Sequence, residues 1–446
     1  MDLAVSDRKF IAWSTIMCAH MIATLRTIAS LLASYGLLLV ANGLFSTLLG
    51  VRARLEGFDA TATGIIMGAY FLGLLAGALT GARVVARVGH IRSFAVFASA
   101  MSVTALLHVM LVDVFAWALM RALAGFCMAG LIMVTESWLN GRTSNHIRGQ
   151  VLSLYMITNY FCAGLGQFLL PLSDPGEFYL FCLVSILLSV ALVPVLLTRA
   201  TAPVPVAPAR GALVDVYRLV PLGVLGAVAA GAVNAAFSGM GPVFAQGIGL
   251  SLSEISSFMG AAILGGLVLQ WPMGWLSDRL DRRNLLAGAA MATAGACALV
   301  LTIVDQQRGW LVLAAVAYGA VAFTVYSIST AHANDRAEEG QSVKVASALL
   351  MAYGTGAAFG PVVAGITMSW LGPEGLFKQA LLIMSWLGLY AIYRQLRRPE
   401  GAEPRPFIPK PGTQYTSGEL YKAAREERDT SEDPTVPGVR SVTPRS

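Results

Sequence analysis

A repeat set inside membrane-length apolar runs narrows the folds open to this chain more than any other feature. Met67-Gly68-Ala69, Leu72-Gly73 and Arg87 recur 192 positions later as Met259-Gly260-Ala261, Leu264-Gly265 and Arg279. In both copies the apolar run ends in a short Arg-rich loop. A spanning helix needs about 20 largely apolar residues to cross roughly 30 Å of hydrocarbon. That length predicts spans at 28–50, 62–82, 93–112, 115–139, 150–172 and 177–198, then at 217–243, 253–274, 285–304, 309–331, 343–368 and 373–393. Lipid offers no partner to an unpaired backbone group, so each span should be a helix. The expectation is an all-α membrane protein of twelve helices in two pseudo-symmetric six-helix bundles. Many transporters build a path through the membrane from such a duplication.

Charged residues make up only 13% of the chain, against about 25% in a soluble domain. A water-soluble chain of 446 residues could not cover its surface with so few. The net charge of +6 does not mark a nucleic-acid binder, because the Arg residues fall between spans rather than in one patch. With a cytoplasmic amino terminus, the inner loops hold Arg83, Arg87, Arg92, Arg142, Arg148, Arg199, Arg210, Arg218, Arg279, Arg282, Arg283, Arg336 and Lys344. The outer loops hold Arg52, Arg54, Arg308 and Lys378. This asymmetry predicts both termini on the cytoplasmic side of a bacterial inner membrane. Cys18, Cys127, Cys162, Cys182 and Cys297 lie in apolar stretches without paired spacing and read as small apolar fillers. The five histidines show no metal-ligand spacing and no phosphate-binding Walker loop is present, so neither enzyme chemistry, a cofactor nor ATP is expected. Gradient coupling is the energy source that remains.

The domain boundaries follow from the spans. Residues 28–198 and 217–393 form the two bundles, joined by a Pro- and Ala-rich cytoplasmic linker at 199–216. Residues 394–446, rich in Pro, Glu, Arg, Ser and Thr, are expected to be a disordered cytoplasmic tail. Residues 1–27 include an apolar run too short to span comfortably, which reads as an interfacial leader or as a start assigned too early, with Met17 or Met21 as the true beginning.

The loop sequences carry a family pattern. The second reads Gly274-Trp275-Leu276-Ser277-Asp278-Arg279-Leu280-Asp281-Arg282-Arg283; the first is an eroded copy with Ala82, Val84, Ala86, Arg87, Val88, Gly89, His90 and Arg92. Arg121 and Gly125 in span four, and Gly356, Gly360-Pro361 and Gly365 in span eleven, add to the pattern. Together these resemble the major facilitator superfamily over residues 28–393. Glu136-Ser137-Trp138-Leu139-Asn140, Arg148-Gly149, Leu154-Tyr155-Met156 and His332-Ala333-Asn334-Asp335-Arg336 resemble its YcaD-like branch of bacterial permeases. The resemblance implies alternating access and a cytoplasmic clamp built from the loop motif's Asp and Arg. In the first copy the usual Gly is Ala82 and the usual Asp is Ala86, which weakens a clamp at Arg87 and leaves Asp278 and Arg279 to form it.

Polar residues within the spans are the site candidates. A charge in hydrocarbon costs about 2.5–3.5 kcal/mol on insertion scales and should face a cavity or partner. Arg121 is therefore either a cation snorkelling to the outer interface or, as the family implies, a buried group coupling substrate or proton movement. Glu136, about four helical turns further on, is either a proton carrier or a gating ion-pair partner for Arg142 or Arg148. Asn42, Asn159, Asn234 and Gln270, with Tyr160, Trp271 and Tyr326, serve either interhelical bonding or substrate contact. As a set spread over both halves they suggest a cavity for an uncharged or weakly charged solute, such as a planar heterocycle of the riboflavin kind. Glycines at about four-residue spacing, among them Gly64, Gly68, Gly73, Gly77 and Gly81, should let helices approach closely. Pro242 should break the helix at the outer end of span seven.

The expected activity is proton-coupled uptake of a small organic nutrient by a monomer, with solute, protons and membrane lipid as partners. Uptake is preferred because the Gly-Pro motif that the family's antiporters carry in span five is here Gly164-Leu165-Gly166-Gln167. A multidrug or metabolite exporter is the alternative of the same class, and a non-transporting membrane sensor or scaffold the alternative of another.

Overall fold

The computed structural model describes the backbone of residues 2–142, 148–197, 213–304, 308–337 and 341–397. Side chains are described for all of these except 2–27, 140–142, 148–150, 308, 342 and 343. Among the described residues every regular element is helical. The first half comprises α1 (Asp2–Leu55), α2 (Ala60–Val88), α3 (His90–Met110), α4 (Val114–Arg142), α5 (Arg148–Gln167), α6 (Tyr179–Val190) and α7 (Leu192–Leu196). The second comprises α8 (Leu213–Leu219), α9 (Pro221–Gly247), α10 (Leu252–Ser277), α11 (Arg282–Ile303), α12 (Leu311–Ala322), α13 (Val325–Asp335), α14 (Ser342–Leu371) and α15 (Gly375–Arg397).

The 192-residue displacement seen in the motifs also governs the helix ends. Leu55 and Gly247 close α1 and α9, Ala60 and Leu252 open α2 and α10, and His90 and Arg282 open α3 and α11. The turn after α1 places Gly57 at φ 78, and the turn after α9 places Gly249 at the same value, a left-handed conformation costly to a residue with a Cβ. Each turn then delivers a capping side chain to the next helix. Asp59 accepts a hydrogen bond from the Ala62 backbone N–H at 2.7 Å, and Ser251 forms a reciprocal capping box with Glu254.

Eleven segments among the described residues are long and apolar enough to cross a membrane, counting α6 with α7 and α12 with α13 as one crossing each. Pro194, which lacks the N–H that would bond the Val190 carbonyl, lies where α6 gives way to α7. The expected fifth span, α5, is not among these segments, its fully described part, 151–167, being shorter than such a segment; Ser153, Thr158, Asn159 and Gln167 lie within it. Of these, Asn159 and Gln167 bond α1, at the Tyr35 hydroxyl and the Gly43 carbonyl, whereas Ser153 is exposed and Thr158 donates to the Leu154 carbonyl of its own helix. The segment expected as a separate leader is continuous with α1, which runs from Asp2, while the spanning part begins at Ile28. Most of the linker and the tail lie outside the described residues. One expectation is corrected: α9 continues through Pro242 to Gly247. The proline ring packs against Gly50 of α1, and such a residue is tolerated in a membrane helix when neighbours take up the freed backbone group.

Helix pairings recur in the same order in both halves. α2 packs on α4 as α10 does on α12, α1 on α5 as α9 does on α14, and α3 on α6 as α11 does on α15. Glycine makes the closest of these possible, because a methyl at Gly73 would run into the Ala122 carbonyl and one at Gly319 into the Ala262 carbonyl. The halves meet through α2 with α14, α5 with α10 and α1 with α9. These contacts run from the end of the bundle where α2 and α10 begin to the middle of both helices, where Gly354 lies against Leu75 and Gly266 against Tyr160. Gly64 lies against the Pro361 carbonyl, Gly365 against the Ala60 carbonyl, Gly164 against Leu264, and Gly239 against Met67. Thr61 and Ser369 hydroxyls stand 2.9 Å apart across the same seam.

Candidate functional site

Three buried polar clusters and one charged loop hold the residues that the sequence singles out. The first surrounds Arg121, which is 1% exposed on α4. That burial removes the snorkelling alternative. Its guanidinium lies 4.2 Å from the Tyr70 ring centre and 5.6 Å from that of Phe45, and its Nη2 donates to Ser46 Oγ at 3.4 Å. Cation–π contact of this kind gains strength when desolvated. The Tyr70 hydroxyl in turn donates to Asn42 Oδ1 at 3.3 Å, so Asn42 and Arg121 belong to one constellation. His108 closes the pocket, its ring packed on Phe45 and Trp117 at 5.3 Å each. His108 Nδ1 lies 2.6 Å from the Thr104 carbonyl, which can only accept. The proton is therefore on Nδ1, and Nε2 is a buried acceptor that no hydrogen bond reaches among the described residues.

The second cluster crosses α1, α4 and α5. Glu136 is fully buried, and its Oε1 accepts from the Tyr155 hydroxyl at 2.8 Å. That hydroxyl is 3.1 Å from the hydroxyl of Tyr35, to which Asn159 Nδ2 donates at 2.7 Å. The Tyr35 and Tyr155 rings stack at 5.0 Å with 14° between their planes. Glu136 and Asn159, from separate motifs, thus share one network. The side chains of the expected partners Arg142 and Arg148 lie outside the described residues.

In the second half, Gln270 Nε2 donates to Ser327 Oγ at 3.2 Å, joining α10 to α13. Tyr326 packs on Tyr353 of α14 with ring centres 4.6 Å apart, and Asn234 is buried on α9. Tyr160 reaches across the halves to Phe323, 6.2 Å between ring centres, and to Gly266. Trp271 stands apart from this set. It is 79% exposed, one position beyond the buried Gln270 and so rotated off its face.

The loop after α10 arranges its charges differently from the expected Asp278–Arg279 pairing. Arg279 lies over the Trp275 ring at 3.9 Å, while Asp278 pairs with Arg282 at 3.5 Å. Arg282 is buried and bridges two helices. It donates to the Asp335 carboxylate at 2.6 Å and to the Ala331 and Ser277 carbonyls at 2.8 and 3.2 Å. Arg283 pairs with Asp281 at 2.9 Å. Burial pushes the Asp281 carboxyl up, but the hydrogen bonds and charge of Arg283 bring it below its ordinary range. In the first half the position matching Arg282 is His90, whose Nε2 lies 3.0 Å from Ser137 Oγ and whose ring stacks near Trp138. Arg87 is exposed at the end of α2. The erosion seen at Ala86 therefore extends to a neutral His–Ser contact where the other half has an ion pair.

Sequence reasoning did not single out Tyr35, Tyr155, Tyr70, Arg282 or Asp335. Arg282 lay within the quoted loop motif and Asp335 within the branch motif, and a search for a carboxylate partner at the far end of span ten would have joined them.

Comparison with known proteins agrees with this architecture. A family model described as Major Facilitator Superfamily matches residues 27–361 and 224–429. The uncharacterized MFS-type transporter YcaD of Salmonella newport (strain SL254) is 26% identical over 383 residues, spanning 85% of this chain and 98% of the relative. The YcaD protein of Salmonella typhi is 26% identical with the same coverage. In fold, the chain is similar to a mutant form of the nucleoside transporter NupG, with a TM-score of 0.71, 13% identity, and coverage of 83% of this chain and 99% of that one. It is also similar to a bacterial homologue of the human lysosomal transporter Spinster in an inward-facing and occupied conformation, with a TM-score of 0.66, 14% identity, and coverage of 83% and 95%.

Proposed function

This chain belongs to the Major Facilitator Superfamily, and we propose that it is a twelve-crossing, proton-coupled importer of a small neutral heterocycle. The observation that carries this reading is the one-sided seam. The two halves touch through glycine contacts from where α2 and α10 begin to the middle of both helices, and the buried polar clusters lie on the helices that flank the seam. A solute held between such halves meets one side of the membrane at a time, which is the geometry of alternating access around a midplane site. In this reading α5 supplies the twelfth crossing, its polar face turned to α1 and α10. Both termini are then cytoplasmic and the seam closes the outer face.

The chemistry of the interior supports the solute class. Asn42, Tyr70, Asn159, Tyr35, Gln270, Ser327 and the Tyr326–Tyr353 pair offer amide edges, hydroxyls and ring faces. A planar, uncharged ring system with hydrogen-bonding edges uses all three, and flavins and nucleosides both answer to that description. NupG, similar in fold, is described as a nucleoside transporter. Arg121 and Glu136 are assigned to coupling, and Arg282 with Asp335 to the cytoplasmic clamp.

Purified full-length protein in liposomes, given an inward proton gradient and radiolabelled riboflavin or uridine, should accumulate one of them, and a protonophore should abolish the accumulation. Saturable binding without flux would favour a sensor. Gradient-driven loss of a preloaded solute would reverse the assigned direction.

A further inference from the structure

One stretch of the repeat lies inside α1 and α9. Asn42-Gly43-Leu44-Phe45-Ser46 recurs 192 positions later as Asn234-Ala235-Ala236-Phe237-Ser238, so asparagine, phenylalanine and serine keep their spacing. Every residue from Leu38 to Val51 is buried except Ser46, and every residue from Val233 to Ala245 is buried except Ser238. The two helices touch just beyond these serines, because a methyl at Gly50 would meet the Pro242 ring and the Gly239 carbonyl. Ser46 stands four residues before Gly50, and Ser238 four before Pro242. Residues four apart share a helix face. Both half-buried serines therefore look out of the faces by which α1 and α9 approach each other, one turn before the crossing. That direction is the interior between the halves, not lipid.

Hydroxyls inside the spans commonly return their proton to a carbonyl one turn back, as Thr135 does to Leu131 and Ser329 to Val325. Ser46 and Ser238 do not. Arg121 Nη2 can only donate, so at 3.4 Å the Ser46 oxygen is its acceptor, and the Ser46 proton reaches no acceptor among the described residues. The Ser238 hydroxyl makes no hydrogen bond among the described residues. The halves differ around the two serines. Gly125 lies against the Tyr70 carbonyl as Gly319 does against the Ala262 carbonyl, so Tyr70 answers to Ala262. Arg121, four residues before Gly125, answers to Ala315, four before Gly319. Both alanines are buried. Ser46 thus has a cation on its oxygen, and the second half puts a methyl where that cation would stand.

We propose that Ser46 and Ser238 form a matched pair of solute contacts, one on each half, that grips the two ends of a ring system and admits it in one orientation. With a lone pair spent on a cation, the Ser46 hydroxyl is the stronger donor and the poorer acceptor of the two. Ser238 carries no such bias and takes either a donor or an acceptor. A solute that bridges them presents a carbonyl oxygen at the Ser46 end. A ring amine there would turn its positive hydrogens toward the Arg121 charge. Uncharged heterocycles with a carbonyl-bearing edge, such as uridine and riboflavin, meet this requirement. Because the pair stands one turn from the α1–α9 crossing, a solute seated between the serines ties the halves together beside the place where they part. The assignment deepens the solute class given above and rests on the transport reading.

The experiment has one arm without solute and one with it. Ser46→Cys, Ser238→Cys and, as a buried control, Leu48→Cys would be made in the full-length chain and placed in liposomes of phosphatidylethanolamine and phosphatidylglycerol. After treatment with a water-soluble maleimide, labelled peptides would be mapped by mass spectrometry against wild type. The cysteines at 46 and 238 should label and the one at 48 should not, and a short bifunctional maleimide should bridge 46 to 238 in the double variant. An unlabelled position 46 or 238, or no bridge, overturns the pair whatever the solute. In the second arm, whichever of uridine and riboflavin the wild type accumulates should slow labelling at both positions. Ser46→Ala and Ser238→Ala should each weaken its binding roughly three- to tenfold, the worth of one hydrogen bond, and Ser46→Thr should restore it. Protection at one position only, or alanine variants that bind as wild type does, overturns the pair while the transport reading stands. If neither solute accumulates, the transport reading fails, and labelling and bridging without solute still decide whether the two serines line one opening.

Discussion

Removing the Asp335 carboxylate should expose how much of the end of the second half where α10 and α13 finish depends on one buried ion pair. The Arg282 and Asp335 side chains are 2% and 6% exposed and 2.6 Å apart. Breaking a buried pair by removing one partner costs about 3–5 kcal/mol, because the surviving charge is left in a medium that cannot solvate it. Arg282 would retain the carbonyls of Ala331 and Ser277 and the half-exposed Asp278 at 3.5 Å. Those partners place Asp335→Ala at the lower end, about 3 kcal/mol, or roughly a hundredfold in the folded-to-unfolded ratio. Denaturant unfolding of the purified protein in mixed micelles, followed by tryptophan fluorescence, would read it. Replacing both charges, as Arg282→Met with Asp335→Leu, should recover most of the loss, since apolar substitutes for a whole buried pair are often neutral or stabilising. His90→Ala, at the matching place in the first half, loses one neutral contact and should cost about 1 kcal/mol. A double replacement less stable than Asp335→Ala alone would refute the desolvation argument, as would a single replacement indistinguishable from wild type.

Other expectations concern the Arg121 pocket, the seam and acid stability. Arg121→Lys keeps the charge but loses the planar guanidinium over Tyr70, a desolvated contact of about 2 kcal/mol. Flux should fall roughly tenfold or more, with the melting temperature lowered by a few degrees at most, about the cost of the lost contact, and wild-type flux would remove Arg121 from the coupling role. Gly64→Val places a branched side chain against the Pro361 carbonyl, so spin labels on the first turn of α2 and the last turn of α14 should report a longer distance. An unchanged distance distribution would show that the seam can absorb the bulk. Asp281, whose folded carboxyl lies below its ordinary range, contributes stability that is present above the unfolded pKa and lost as pH falls through the folded one. Asp281→Asn should therefore lower stability at neutral pH, where the ionised carboxyl contributes, and flatten the acid limb below about pH 4, where it converges with the wild type.

Much of the architecture could be read before any coordinates, because a duplicated chain states its register twice. The displacement between Arg87 and Arg279 is the one that separates Gly57 from Gly249 and Asp59 from Ser251, so turns and caps follow the motifs. The polar site was harder to read. Within a span, hydropathy separates lipid from water but does not tell a face turned to a neighbouring helix from one turned to lipid. Tyr35 therefore went unremarked and Tyr155 entered only within a branch motif, although their hydroxyls join Asn159 to Glu136. Trp271 was grouped with Gln270 by adjacency, yet neighbours on a helix point about 100° apart. The loop motif located the segment but not its pairing, because between α10 and α11 the chain turns so that Arg282, not Arg279, comes back to Asp278 while Arg279 lies over Trp275.

The seam between the halves is made of glycine, hydroxyl and carbonyl groups, whereas the opposite end of the second half is braced by Arg282, Asp278 and Asp335. Parting the first is a matter of surface and shape, and ionic strength has little purchase on it. Loosening the second means rehydrating full charges. The two faces of the protein should thus answer to different solution variables, so that acidity speaks to one door while crowding of the bilayer speaks to the other.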